Sequence, residues 1–169
     1  MTDLLAIFRA GFVRRWHANP DLAHTVDRID GHSARVARII MALHPEPSLD
    51  LIRAALMHDD GEIAVGDLCS PAKSEFPVIA DALEELEHYE RERLWGGDWC
   101  DVIGGEDRRW LKFADRLDAY MWAAHHAPHV LSGDGWPEAW EWLWTTAGDL
   151  GVRWGLGGLV DDRRARHAA

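Results

Sequence analysis

The sequence has few cysteines and no long apolar run, and both shortages exclude classes of protein. Two cysteines in 169 residues, Cys69 and Cys100, cannot form a disulfide framework and make no CxxC pair, so a reducing compartment is expected. No apolar stretch approaches the roughly 20 residues that span a bilayer, and Met1 to Asp3 carry no basic signal region. These features predict a soluble, cytoplasmic protein without a membrane partner.

Basic residues are scarce relative to acidic ones. The chain has 18 Lys and Arg against 29 Asp and Glu, a formal net charge of -11. Nucleic acids and anionic membranes bind clustered Lys and Arg, so this balance argues against both as partners. A small anionic substrate is still compatible with the charge, provided that local basic groups or a bound cation face it.

The remaining composition is that of an ordinary globular protein, with 47% hydrophobic and 28% charged residues. Apolar residues recur at helical spacing, and no segment alternates as a strand does. The pattern predicts an all-α fold, a single domain over residues 1–169 built as a bundle of about six to seven helices. The tail, about residues 160–169, is compatible with disorder. The predicted helices cover about residues 3–16, 25–43, 48–58, 77–94, 106–126 and 136–150.

Two segments between these helices predict loops. The polar stretch 17–24 contains Pro20, and the stretch 66–73 is rich in turn residues, so both are expected to be irregular. On the fourth helix, Ile79 and Tyr89 are expected to point inward, and Glu84, Glu85 and Glu87 are expected to form a solvated acidic face.

The most informative stretch is Leu56–Glu62, where an apolar helix meets four ligand-capable side chains: His58, Asp59, Asp60 and Glu62. Adjacent helical residues can both reach one ion only where the helix passes beside it, so further ligands must come from elsewhere. His32 and Asp115 are the candidates, because each is a polar residue within an apolar helical pattern. The resulting N/O set suits Zn, Mn, Co, Fe or Mg. A chance His-Asp pair in a metal-free bundle is the alternative.

Other polar residues suggest phosphate chemistry around such an ion. Glu62 is a candidate general base or proton shuttle, although it could be an exposed carboxylate at a helix end. Arg15 and Lys73 are candidate phosphate ligands. Arg15 equally suits the C-terminus of the first helix, where basic residues oppose the helix dipole. Trp16 could stack on a nucleobase or fill the core.

Together these motifs resemble a known family. His32, His58-Asp59 and Asp115 resemble the H…HD…D signature of HD-domain metal-dependent phosphohydrolases, over about residues 11–125. The motifs Arg15-Trp16, 31–33, 58–62, 66–67 and 70–73 are similar to the YfbR-like 5'-deoxynucleotidase branch. The resemblance implies an all-helical fold, a divalent metal on the four signature residues, and hydrolysis of deoxynucleotide phosphates.

The chain also looks like small phage-encoded dATP triphosphohydrolases of this family, which would place it in the host cytoplasm. That likeness implies that Glu62 assists the attacking water, Asp67 contacts the sugar hydroxyl or a further metal, and Trp16 packs on sugar or base. The small Ala18 would leave room for a purine 2-amino group. The loop between Trp16 and His32 is longer than in the nucleotidase pattern. Relatives in this branch form homo-oligomers, so a dimer or hexamer is expected.

The expected function is therefore hydrolysis of a purine deoxynucleoside triphosphate, most simply dATP, in nucleotide-pool control of the phage type. A 5'-deoxynucleotidase acting on deoxynucleoside monophosphates is an alternative. A non-catalytic module that keeps the metal but not the reaction is a further alternative.

Overall fold

The computed structural model describes residues 2–133 and 135–161. The prediction of an all-α protein is confirmed. Within the described residues, β-type pairing is confined to one isolated antiparallel bridge between Arg14 and Arg28. Residues 162–169 of the predicted tail lie outside the described part. The helices are α1 (Leu4–Ala10), α2 (Ile29–Leu43), α3 (Leu49–Met57), α4 (Ser70–Glu75), α5 (Pro77–Trp95), α6 (Trp99–Val102), α7 (Gly105–His126) and α8 (Trp136–Asp149).

The 3-10 turns Asp60–Ala64, Pro128–Ser132 and Arg153–Leu156 complete these helical elements. The short helices α4 and α6 add to the six or seven expected. Among the described residues, no helix is both long enough and apolar enough to cross a membrane.

The first helix is shorter than predicted. It ends at Ala10 instead of Trp16, and the chain then runs alongside the segment before α2, where the Arg15 amide donates to the Asp27 carbonyl at 3.2 Å. Local periodicity cannot reveal this pairing, because Arg15 and Asp27 are far apart in sequence. Arg15 is consequently not at a helix C-terminus, and the dipole explanation for it is wrong.

The core lies where α2, α3 and α7 pack against one another and α8 covers α7. Ser48 begins α3 as predicted, with its side chain accepting a hydrogen bond from the Leu51 amide. The inward faces carry apolar side chains that are fully buried, including Val36, Ile40, Leu51, Phe113, Leu143 and Leu156. Burial of this apolar area holds the polar residues of α2, α3 and α7 at fixed positions.

The segment after α3 lies directly against α5. A Cβ atom on Gly61 would lie 2.3 Å from the Glu87 carbonyl oxygen, so only glycine allows the two backbones to approach this closely. The α-helix does not continue to Glu62, which instead lies in the 3-10 turn. The chain changes from an α-helix to a 3-10 turn after α3, and in this turn the Glu62 side chain is buried.

Helices α4 and α5 correct two expectations. The stretch 66–73 is not wholly irregular, because α4 begins at Ser70 with Pro71 in its first turn, a favourable place for proline. On α5, Ile79 and Tyr89 are 46% and 60% exposed, and the half-buried Glu87 faces its neighbours instead of solvent. Charged pairing through Glu87 and Arg91, described below, determines the inward face of α5.

Candidate metal centre

Four side chains predicted as metal ligands converge where the first turn of α2, the C-terminal end of α3 and the middle of α7 meet. The Nε2 atom of His32 lies 3.3 Å from Nε2 of His58, 3.2 Å from Oδ2 of Asp59 and 3.2 Å from Oδ1 of Asp115. Nε2 of His58 also lies 3.4 Å from Oδ1 of Asp59. His32, His58 and Asp115 form a group that could hold a metal ion.

Exposure differs across these four residues. The His32 side chain is 0% exposed and that of His58 is 11% exposed, whereas those of Asp59 and Asp115 are 21% and 36% exposed. The centre is therefore closed on its imidazole side and open on its carboxylate side, which is where a substrate could approach.

Asp118 orients the buried imidazole. Its Oδ2 atom lies 2.7 Å from Nδ1 of His32, on the side of the ring that faces away from the other ligands. A proton on Nδ1 would be donated to this carboxylate, and the opposite nitrogen, Nε2, faces Asp59 and Asp115. Metal-binding histidines in proteins commonly have a carboxylate partner of this kind. On the other ring, Nδ1 of His58 donates to the Ala55 carbonyl at 3.0 Å.

The local charges favour a cation. Burial alone lowers the pKa of His32, but Asp115, Asp118 and Asp59 outweigh it and raise that pKa to about 11. The pKa of Asp115 is lowered despite burial, because His32 donates to its charged form. Since the surrounding carboxylates stabilise a positive charge at Nε2, a divalent ion fits the same position. The donor set and its field are thus suited to a metal.

Glu62 lies in the buried wall beside this group. Its Oε2 atom has no hydrogen-bond partner, an unusual state for a buried carboxyl oxygen. Burial, together with repulsion from Asp59, Asp67 and Glu87, raises the pKa of Glu62 to about 10. A neutral carboxyl group with one unpaired oxygen can exchange a proton with a molecule bound beside it.

The predicted phosphate ligands are both present near the centre. Arg15 is largely buried, with its NH1 atom 2.6 Å from Nδ1 of His32 and its NH2 atom 4.0 Å from Oδ1 of Asp115. Lys73 lies on α4, and its Nζ atom is 3.4 Å from Oε1 of Glu87. Both cations thus border the carboxylate group.

The residues proposed to contact the sugar and base lie in and beside the loop after α1. The indole Nε1 of Trp16 donates to Oδ2 of Asp27 at 3.0 Å, and the backbone amide of Trp16 donates to Oδ2 of Asp67 at 3.4 Å. Ala18 is exposed in the turn-rich stretch that follows. The structure therefore brings Trp16 and Asp67 together and leaves Ala18 at the surface.

Sequence reasoning missed several residues that support the centre. Asp118 and Arg35 lie one helical turn after Asp115 and His32 respectively, so the i,i+3 spacing could have indicated them. Arg91 donates from NH1 to the carbonyl oxygen of His58 at 3.1 Å, and no local pattern could show that contact. Asp60, which is not a signature position, accepts a hydrogen bond from Nε1 of Trp95 at 2.9 Å.

A second group of possible metal ligands comprises His88, Asp98 and Asp101. Asp98 already accepts hydrogen bonds from Arg91 at 2.7 Å and from the Cys100 amide at 2.8 Å. Because Arg91 neutralises Asp98, this group has less capacity for a cation than the one around His32.

These observations define a helical protein in which His32, His58 and Asp115 could hold a metal ion and Asp59 lies beside them. No family model matches the chain, and no curated protein is significantly similar to it. Among solved structures, it is similar to a cyanophage S-2L HD phosphohydrolase (DatZ) bound to dA and one catalytic Zn2+ ion, with TM-score 0.60 and 22% identity. The match covers 90% of this chain and 84% of the other. The HD-type fold expected from the motif is thus confirmed.

Proposed function

We propose that the chain is a metal-dependent phosphohydrolase that acts on deoxynucleotide phosphates. The observation that carries the proposal is the convergence of His32, His58, Asp59 and Asp115 within about one ion's reach of Nε2 of His32. The likeness to an HD phosphohydrolase that binds dA and zinc supports it, since that protein has the same fold. Zn2+ is the first candidate ion, and Co2+, Mn2+ or Mg2+ would suit the same mixed ligands.

Two imidazoles and two carboxylates would hold the ion in place of the Nε2 proton of His32, with Asp118 accepting a hydrogen bond from Nδ1 of that ring. When bound, a divalent ion supplies Lewis acidity and lowers the pKa of water. The chain's own residues have three further tasks: binding the phosphates, transferring a proton and excluding bulk water.

Glu62 is the proposed proton-transfer group. It is buried, unpaired and neutral at neutral pH in the arrangement described, because Asp59 and Asp67 oppose its ionisation. A cation among these carboxylates would lower its pKa, so that Glu62 could take a proton from water during attack on phosphorus and later return it to the leaving oxygen.

Arg15 and Lys73 are the proposed phosphate ligands. Their positive charges lie against carboxylates of the centre, which raise the pKa of each above its ordinary value although burial opposes this. Both groups therefore remain charged at neutral pH. A phosphate chain would exchange these protein carboxylates for its own oxygens, with Arg15 binding through two parallel hydrogen bonds and Lys73 as a point charge.

The finer proposal is a purine deoxynucleoside triphosphate, dATP in particular, as in phage nucleotide-pool control. Trp16 would pack on the sugar or base, Asp67 would contact the sugar hydroxyl or a further metal, and Ala18 would leave space beside a purine C2. Support comes from the hydrogen bond that the Trp16 amide donates to Asp67, which brings this carboxylate close to the residue that carries the indole. Equal turnover of dATP and dGTP by the native protein and by A18L would refute the role of Ala18.

The function is tested by incubating the protein with each dNTP, dNMP and NTP in turn, with Mn2+, Co2+, Zn2+ or Mg2+, and identifying the products. Triphosphate release from dATP supports the full proposal. Hydrolysis confined to dNMPs would instead establish a 5'-deoxynucleotidase.

Removal of a ligand gives the matched test. Asp115→Ala should abolish both metal retention and turnover, because it removes a charged ligand that neighbours Nε2 of His32. Asp81→Ala removes an exposed carboxylate of α5 and should change neither. Full activity of the Asp115 variant without bound metal would refute the proposal, and bound metal without turnover in the native chain would favour a non-catalytic module.

We also propose a homo-oligomer, because α1 and the turn that follows it expose large apolar side chains: Leu4 (78%) and Phe8 (65%) in the helix, and Phe12 (48%) after it. A second copy of the chain is the proposed occupant of this face.

A further inference from the structure

One arginine on α2 connects the metal centre to the tryptophan of the loop after α1. Arg35 donates from Nε to Oδ1 of Asp118 at 2.6 Å and from NH2 to Oδ2 of Asp118 at 3.0 Å. The same NH2 donates to Oδ1 of Asp27 at 2.8 Å. The planar guanidinium thus binds two carboxylates at once, an arrangement that a lysine ammonium cannot reproduce.

Both carboxylates are buried, and each also binds a residue of the proposed site, either the proposed metal ligand His32 or the proposed substrate contact Trp16. Asp118 is 3% exposed and pairs with Nδ1 of His32 at 2.7 Å, whereas Asp27 is 1% exposed and accepts from the indole Nε1 of Trp16 at 3.0 Å. The contacts form one continuous path from His32 through Asp118, Arg35 and Asp27 to Trp16. Arg35 makes the shorter guanidinium contacts to both carboxylates, whereas NH1 of Arg15 lies 3.5 Å from Oδ2 of Asp27 and 3.5 Å from Oδ2 of Asp118.

The middle residue of this path, Arg35, and one of its ends, Trp16, are held in defined conformations. The ring of Trp122 lies 4.4 Å from the guanidinium carbon of Arg35, which restricts the plane of the fork. Trp16 has φ of 64°, a left-handed conformation that a large side chain rarely adopts, so its indole is placed by contacts and not by backbone preference. The hydrogen bond to Asp27 is the polar contact that fixes the indole.

We infer that Arg35 is a positioning residue that aligns both the metal ligand His32 and the indole of Trp16, so that filling the metal centre changes the environment of the Trp16 ring. This inference rests on the proposed function for the role of Trp16 toward substrate, but the alignment itself needs no turnover. Metal binding would alter the hydrogen bond between His32 and Asp118. Because the planar guanidinium of Arg35 binds both Asp118 and Asp27, a shift of Asp118 would also shift Asp27 and the Trp16 indole bound to it. An arginine that only neutralised two buried acids would not transmit it.

The test compares Arg35→Lys with the native protein and with Arg38→Lys, an exposed arginine of the same helix. Zn2+ affinity is measured by competition with a chelator. The indole N–H resonance of Trp16, assigned with W16F, is followed by NMR during Zn2+ addition. We expect Zn2+ to shift this resonance in the native protein and in Arg38→Lys. Arg35→Lys should bind Zn2+ about 10–100-fold more weakly and lose most of the shift at saturation.

Asp27→Asn provides the second variant and separates the two ends of the path. It leaves both Arg35 bonds to Asp118 in place, so Zn2+ affinity should stay close to that of the native protein while the Trp16 response is lost. The inference is overturned if Arg35→Lys keeps the native Zn2+ affinity or the native Trp16 shift. It is equally overturned if Zn2+ leaves the Trp16 resonance of the native protein unmoved.

The proposed function is judged separately, by hydrolysis of nucleotides. A native protein that shows the Zn2+-dependent Trp16 shift but releases no phosphate from any nucleotide would refute the proposed function and support the positioning role. If the protein hydrolyses dATP but Zn2+ does not shift the Trp16 resonance, the proposed function is supported and the positioning role of Arg35 is refuted.

Discussion

At the scale of the residue, the centre combines ligands that are satisfied with one acid that is not. His32 has a carboxylate on either side of its ring, whereas Oε2 of Glu62 is buried without a partner. Leaving a buried polar atom unpaired costs free energy, so such an atom commonly marks a place where a ligand or a proton is exchanged.

The first prediction concerns Glu62. Glu62→Gln should lower kcat by about 10²–10⁴-fold, because it removes the proton acceptor while preserving size. Zn2+ affinity should change little, since Glu62 is not among the four converging ligands. Steady-state kinetics with dATP and chelator competition measure the two effects. Retention of the native kcat would remove Glu62 from the mechanism.

At the scale of the element, the 3-10 turn Asp60–Ala64 and helix α5 act together. Arg91 of α5 donates to the His58 carbonyl, and the turn meets the α5 backbone at Gly61. Helix α5 therefore supports the segment that carries His58, Asp59 and Glu62, although α5 contributes none of the proposed ligands.

The second prediction follows from the close approach at Gly61. Gly61→Ala should lower the free energy of unfolding by about 1–3 kcal/mol, because the added Cβ would lie 2.3 Å from the Glu87 carbonyl oxygen. Gly97→Ala is the matched control, since a Cβ there meets nothing within 4 Å. Urea denaturation of both variants measures the difference, and equal stabilities would contradict the packing described.

The third prediction concerns the pH dependence of α5. Burial raises the pKa of Asp98, but hydrogen bonds from Arg91, the Cys100 amide and His88 outweigh it, so the net pKa is lowered. A carboxyl whose pKa is lower when folded stabilises the fold above its unfolded pKa of about 3.9. That stabilisation is lost as pH falls through the folded value.

Thermal unfolding between about pH 2 and 6 measures this contribution. The Tm of the native protein should exceed that of Asp98→Asn at pH 6, and the difference should shrink below about pH 3.9. A difference that stays constant across this range would mean that Asp98 titrates normally.

Local pattern sufficed for some elements and failed for others. Ser48 and the apolar spacing that follows it indicate α3 correctly, because capping and helical periodicity are local properties. The end of α1 was missed because Arg15 pairs with Asp27, and the inward position of Glu87 was missed because Lys73 faces it from α4. Contacts between distant segments decided both cases.

At the scale of the whole molecule, the proximity of the four proposed ligands was predictable because the H…HD…D motif names them, and the HD-type fold was confirmed. The residues around this group were harder to predict from the sequence. Arg35 joins Asp118 to Asp27 across 83 and 8 positions of sequence respectively, so only the packing of α2 against α7 reveals its role. The ligand roles of His32, His58, Asp59 and Asp115 stay predictions, as do the roles assigned to Glu62, Arg15, Trp16, Lys73, Ala18 and Asp67.

The fourth prediction concerns assembly. Light scattering should give a mass that is a multiple of the 19.1 kDa chain, because the apolar face of α1 would be covered by a second copy. Phe8→Glu should lower that mass, since it places a charge at the centre of the face. Val78→Glu, at a position that is 81% exposed on α5, serves as the control. A native protein with the mass of one chain would refute the oligomer.

The contact at Gly61 also bears on how the proposed metal centre would respond to heating. The backbones of α5 and of the turn after α3 are in direct contact at Gly61. Partial separation of α5 would therefore free His58, Asp59 and Glu62 together. Inactivation by heat should therefore coincide with metal release and precede melting of the α2–α7 core. A calorimetric scan of the zinc-loaded protein should then show two transitions. With a chelator present, the first transition, which accompanies metal release, should disappear.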